Sequence, residues 1–193
     1  MGHSRASKQQ SHEHIVSTAA KRFRESGVDG VSIANLMKEA GLTHGGFYKH
    51  FTSRDDLVTE ALELALGNSS KRYSSAGDNA FEPFVNGYLS TKHRDNPGEG
   101  CAVAALINDM ARARSDSKEL YGAHLQRSFD WIASLIGAER PDARARAIVA
   151  FSAMVGALGF ARALDDEALS QEVLDTVKDY LLSHLQGDQP ASE

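Results

Sequence analysis

An all-α fold of about nine helices is predicted by three observations on this 193-residue chain. Apolar residues recur at steps of three and four, no segment alternates in the manner of a strand, and glycine, proline and Ser/Thr/Asp caps divide the repeats. The first helix carries Ile15, Val16, Ala19, Ala20 and Phe23 on one side, and Gly27 ends it one turn later. A second is announced by Ser32, whose hydroxyl can accept from orphan amides of a helix starting at Ile33 with Leu36, Met37 and Ala40 inward. Gly41 stops it by supplying the left-handed conformation that helix ends favour. Thr43 stands where a third helix needs a cap, and Phe47 and Phe51, four apart, give that helix an apolar rib. Ser53 and Asp56 form an approximate capping box for a fourth, with Leu57, Ala61, Leu62, Ala65 and Leu66 along one face.

Farther on, Gly67-Asn68-Ser69-Ser70 and Ser74 to Asn79 are small and polar, which predicts a hinge. The expected organisation is therefore a head at residues 8–56, a connecting helix at 57–75 and a body at 77–187. Within the body, Phe81, Phe84, Val85, Tyr88 and Leu89 predict a helix that ends before the loop Asp95 to Gly100, and Cys101 to Arg114 reads as the next. Asp116 with Glu119 can cap a helix bearing Leu120, Leu125, Phe129, Ile132 and Ile136. Pro141 stands at a first-turn position and opens a long helix, and Leu169, Val173, Val177, Tyr180, Leu181 and Leu185 define a last one that frays into Gly187 to Glu193.

The stretch from Val31 to Leu57 has the layout of a helix-turn-helix: two short helices, a glycine turn and a polar outer edge. That edge is His44, Gly45, Tyr48, Lys49 and His50, which makes little sense as core. It suits a nucleic-acid groove, with donors for phosphate oxygens and small residues that let backbone approach bases. Charge supports this. Through Asp55 the chain holds eight Lys/Arg against five Asp/Glu, a net +3, while the remainder is −8, so the overall −5 conceals a basic end that also holds five of the eight histidines.

Gly27, Val28, Val31, Ser32, Ala40, Gly41, Leu42, Thr43, Gly46, Phe47, Tyr48, His50, Phe51, Ser53, Asp56 and Leu57 together resemble the tetracycline-repressor (TetR) family of bacterial regulators over roughly the first third of the chain. Arg54 departs from the lysine usual in the family but keeps the charge. The resemblance implies a ligand-responsive repressor that binds double-stranded DNA as a homodimer and is released by a small molecule or by an electrophile or oxidant. It implies base contacts from His44, Gly45 and Tyr48, with Ser32, Thr43, Gly46, Lys49, His50 and Arg54 completing the DNA-binding surface. An all-helical body of variable sequence is expected to take the effector.

From Ala147 to Ala161 only Ser152 is polar, so that helix must be covered on every side. Ile148, Phe151, Val155 and Leu158 are expected to pack on the chain's own body. The small face, Ala150, Met154, Ala157 and Ala161, with Val177 and Leu181 of the last helix, is expected to form half of a symmetric dimer interface. A helix buried wholly within one subunit is the competing reading. Candidate effector-site residues are Phe84, Tyr88, Cys101, Met110, Phe129, Trp131 and Phe151, with Asp109, Arg112 and His124 as groups able to orient a ligand. Cys101, after Pro-Gly-Glu-Gly at a helix start, is either a sensor thiol or a small buried hydrophobe.

Other classes find no positive signal. His12 and His14 point to different sides of a helix, no Cys/His spacing resembles a metal motif, and there is no Gly-rich phosphate loop or GxSxG elbow, so neither catalysis nor a cofactor is expected. One cysteine excludes an intrachain disulfide and suits the cytoplasm. No secretory leader is visible, and the Ala147–Ala161 run is short of a membrane span. A non-catalytic adaptor or architectural protein using the same helices for protein contacts is the alternative.

Overall fold

The computed structural model describes residues 2–74 and 81–185, so the part of the expected hinge at Ser75 to Asn79 and the terminal Gly187 to Glu193 lie outside the described residues. Among those described there are nine α-helices and no strand. They are α1 (Gly2–Ser26), α2 (Ile33–Glu39), α3 (Arg54–Ser74), α4 (Phe81–Tyr88), α5 (Thr91–Arg94), α6 (Ala102–Arg112), α7 (Ser115–Gly137), α8 (Ala143–Ala163) and α9 (Glu167–Leu185). Short 3-10 helices occupy His44–Lys49 and Pro97–Glu99.

The chain divides into two compact units: residues 1–69 with 97–122, and residues 70–96 with 123–193. In the first, Ile15, Ala19 and Phe23 of α1, Leu36 and Met37 of α2, Phe47, and Leu57, Ala61 and Leu62 of α3 form one closed core. Segment 97–122 completes it. Arg24 donates to the carbonyl of Gly98, and the Asp109 carboxylate accepts from the amide of Val28 at 2.9 Å. That amide follows Gly27, whose φ of +73° turns the chain out of α1. Asp109 thus serves the fold instead of a ligand.

Local caps explain why the head's helices begin and end where they do. Ser32 Oγ accepts from the Asn35 amide at 3.2 Å. At the other end of α2, Gly41 adopts φ +73°, its amide donates to Lys38 O, and the Leu42 amide reaches back to Met37 O, a Schellman closure. No atom lies within 4 Å of a Cβ built on Gly41, so backbone strain alone opposes a side chain there. Gly41→Ala is therefore expected to cost about 1–2 kcal/mol and lower the melting temperature by a few degrees, read by circular dichroism. An unchanged melting temperature would contradict the closure. Before α3 the capping box closes reciprocally: Ser53 Oγ accepts from the Asp56 amide at 3.1 Å, and the Asp56 carboxylate accepts from the Ser53 amide at 3.2 Å. Hydrogen bonds from Thr52 and then Ser53 hold the Asp56 carboxyl below the usual carboxylate range.

Two expectations change. The third helix is 3-10, not α: Gly46 N donates to Thr43 O and His50 N to Phe47 O, each three residues back. Thr43 has the extended cap backbone but no side-chain cap bond. Adjacent glycines at 45 and 46 are poor α formers, which favours the tighter turn. The Gly67–Ser70 stretch, small and polar by composition, is helical within α3, inside the span 57–75 expected as a connecting helix. Residues 91–94 form an unexpected short helix capped by Ser90.

In the second unit α8 packs along α9 and α4 on α9. The buried stripe of α8 is Ala143, Ala147, Ala150, Phe151, Met154, Ala157, Leu158 and Ala161. The face expected to meet another subunit, Ala150, Met154, Ala157 and Ala161, is thus spent within the chain, as is Leu181, and Val177 is half-buried. Small side chains let α9 approach closely, and the chain's own helix has taken that position. Left outward are Ala145, Ile148, Val149, Ser152, Gly159 and Phe160, again at steps of three and four. By length and composition α8 could cross a membrane, but its buried stripe makes it a core helix in this fold. Arg94, itself buried, donates to Ser170 Oγ and to Glu167, both at 2.9 Å, and joins α5 to α9.

Candidate nucleic-acid interface

Phe47 sets the site. Fully buried, it stacks on Phe51 with ring centroids 5.3 Å apart and holds the 3-10 helix against the core through this one side. The turns around it must then face outward. His44, Gly45, Tyr48 and Lys49 are exposed, Tyr48 at 70%, with the edge of its ring contact on Phe47 at 5.2 Å. A Cβ on Gly45 would meet nothing within 4 Å, so this point of the backbone is open to close approach.

Other expected members are held differently. Gly46 is half-buried, its missing Cβ position 3.6 Å from Met37 Cε, so it seats the 3-10 helix on α2. Arg54 directs Nη2 to the carbonyls of Val28 and Val31, the latter at 2.9 Å, and thereby braces the turn after α1. Ser32 is exposed with its hydroxyl engaged in the cap, and Thr43 is exposed with no such engagement.

His50 is half-buried beside His12, with centroids 6.0 Å apart, and its shut-in Nδ1 has no hydrogen-bond partner among the described residues. Burial, then the charges of His12, Lys8 and Lys49, lower its pKa below the ordinary histidine value. His12 stacks on Phe51 at 4.6 Å and pairs with Glu60 at 2.6 Å. Ser7, Lys8 and Ser11 of α1 face Lys49 and His50 across an open groove of about 460 Å³. Sequence reasoning missed Lys8 and Ser11. Their only signal was a helical step of three on the polar side of α1.

In the second unit the structure joins most of the expected effector-lining aromatics. Phe84 meets Trp131 edge-on at 4.9 Å and Tyr88 at 5.8 Å, and Phe151 meets Tyr88 at 6.0 Å and Phe129 at 6.1 Å. Two expected members lie elsewhere. Met110 packs with Ala20, Phe23, Val58, Leu62 and Leu106 in the first unit, because α6 turns its apolar face to α1 there. Cys101, at 2% exposure, is buried in that same unit ahead of α6.

Residues 15–61 match the model of the tetR family of bacterial regulatory proteins. The chain is similar to the HTH-type transcriptional regulator AcrR of Shigella flexneri, at 37% identity over 60 residues, covering 31% of this chain and 28% of that protein. The chain thus spans little more than a quarter of that relative's length. Its fold is similar to a TetR transcriptional regulator from Chloroflexus aurantiacus (TM-score 0.79, 22% identity, 94% of this chain and 98% of that one). It is also similar to AibR, solved in complex with isovaleryl coenzyme A and operator DNA (TM-score 0.62, 12% identity, 88% and 97% covered).

Proposed function

Because this chain belongs to the TetR family of bacterial regulatory proteins, we propose that it represses transcription as a cytoplasmic homodimer on a palindromic operator. A small molecule filling the second unit releases it. One observation carries the reading: the outward face His44, Gly45, Tyr48 and Lys49 stands on the buried Phe47, which leaves polar and small residues presented on a rigid base with no core role to perform. His44, Gly45 and Tyr48 are read as base contacts, and Thr43, Lys49 and His50 as phosphate contacts, with Lys8 and Ser11 extending the anion-holding groove. Arg54 and Ser32 support that surface from behind.

Selection of bound fragments from the source genome, followed by footprinting, tests the reading. Protection of a defined twofold sequence supports it, and capture of protein partners with no protected sequence favours an adaptor. Lys49→Ala is expected to weaken binding to all DNA and lower the salt slope by ~1, whereas His44→Ala is expected to change preference among sequences. Equal effects of both on operator and random DNA would overturn this division.

A homodimer is favoured by the outer stripe of α8, where Val149 and Phe160 are 58% and 67% exposed and a Cβ on Gly156 or Gly159 would meet nothing within 4 Å. Tyr180 and Leu169 of α9 are exposed as well. A second copy of the chain is the natural cover for such a stripe. As for release, the burial of Cys101 favours a ligand over an oxidant, since a sensing thiolate must meet its reagent in solvent.

A further inference from the structure

Within the second unit α7 buries His124, Ser128, Ile132 and Ile136 at steps of four, and Trp131 lies on the same side, seven residues from His124. His124 is the anomaly on this strip. It is 2% exposed, yet both Nδ1 and Nε2 are closed to solvent with no hydrogen-bond partner among the described residues. Ser128 is near, but its hydroxyl donates to the His124 carbonyl at 3.0 Å and not to the ring. A buried polar group left unmade costs about 1–3 kcal/mol, and an apolar side chain of similar size would avoid that cost. Among the described residues the imidazole therefore keeps a donor and an acceptor unused.

Its surroundings select that partner. Burial, then the positive charge of Arg127, pushes the His124 pKa down to about 4, so at neutral pH the ring offers one N–H donor and one lone pair and no charge. Trp131 stands two helical turns on from His124 along the same side of α7. Trp131 continues through Phe84 into the aromatic group of Tyr88, Phe151 and Phe129. A hydroxyl can both donate and accept, which matches the one donor and one lone pair of a neutral imidazole, whereas a carboxylate can only accept.

We propose that His124 is the polar anchor of the effector site, and that the effector class is a neutral aromatic alcohol or phenol whose hydroxyl bonds His124 while its ring lies against Trp131 and Phe84. This inference rests on the effector reading above, and its test separates the two. Trp131 is the only tryptophan, so its fluorescence reports binding directly. The probes are 4-ethylphenol and its apolar counterpart 4-ethyltoluene, titrated into the full-length protein. The phenol is expected to bind about tenfold more tightly, the equivalent of one buried hydrogen bond. His124→Leu is expected to erase that preference while leaving the melting temperature equal or higher, and His124→Gln to restore part of it. Should His124→Leu fail to fold, the wild-type and His124→Gln titrations still decide. Equal affinities for the two probes in the wild-type protein, or a preference that survives His124→Leu, would overturn the proposal and make the histidine's partner a buried water only. A parallel titration of the operator complex distinguishes the readings: preferential phenol binding without DNA release keeps the anchor and overturns the effector role.

Discussion

Replacing Val149 and Phe160 together by aspartate is expected to yield a folded monomer that has lost operator binding by a hundredfold or more, which is about 2.7 kcal/mol. Both side chains stand on the outer stripe of α8, so neither change opens a cavity in the chain's own core. Helicity and melting temperature should stay near the parent values. Two carboxylates on each facing helix would, however, oppose a second copy by like-charge repulsion and desolvation. A single head then holds a half-site without its twofold mate, since paired heads meet major grooves about 34–36 Å apart. Light scattering gives the mass, expected to fall to that of one 20.9 kDa chain, and mobility shifts give the affinity. The opposite face supplies the control. Ala150→Leu forces bulk between α8 and the rest of its own unit and should cost about 1–3 kcal/mol of stability while leaving association intact. If Ala150→Leu abolished the dimer and the aspartate pair did not, the assignment of the two faces would be reversed.

Phe47→Ala is expected to remove DNA binding altogether. The ring is fully buried, stacks on Phe51 and carries the Tyr48 edge contact, and a buried Phe→Ala change costs about 3–5 kcal/mol. Domains hold only about 5–15 kcal/mol in total, so the 3-10 helix that rests on Phe47 is the first structure lost. Amide exchange should rise across residues 43–52 to the level of an open loop, while Trp131 fluorescence, which samples the other unit, keeps its native signature. Retention of operator binding within threefold would mean that the outward face does not depend on this ring.

The parts of the fold that were legible from sequence are those whose causes lie within about five residues. Ser32 with Asn35, Gly41 with Lys38 and Met37, and Ser53 with Asp56 are all local exchanges, and each was readable from residue type and spacing. The number of α-helices agrees only by compensation, since the third expected helix is 3-10 and residues 91–94 supply another. What failed depended on distant partners. Arg54 bonds carbonyls 23 and 26 residues away, so its charge suggested phosphate when its geometry is that of a brace. Both faces of α8 read as apolar, and only the position of α9 decides which is consumed. Met110 shares its side-chain character with the aromatic group but belongs to another core. His124 was one polar residue among several until burial without a partner among the described residues set it apart.

The enclosure of Cys101 has a practical consequence. It is the sole thiol of the chain and is shut from solvent, so a cysteine introduced in place of the open Tyr48 is the one that a maleimide reagent meets, with no need to delete the native residue first. Nitroxide labels attached there would let pulsed electron resonance act as a ruler between the two heads of an assembled pair, recording their separation in solution before and after a ligand is added.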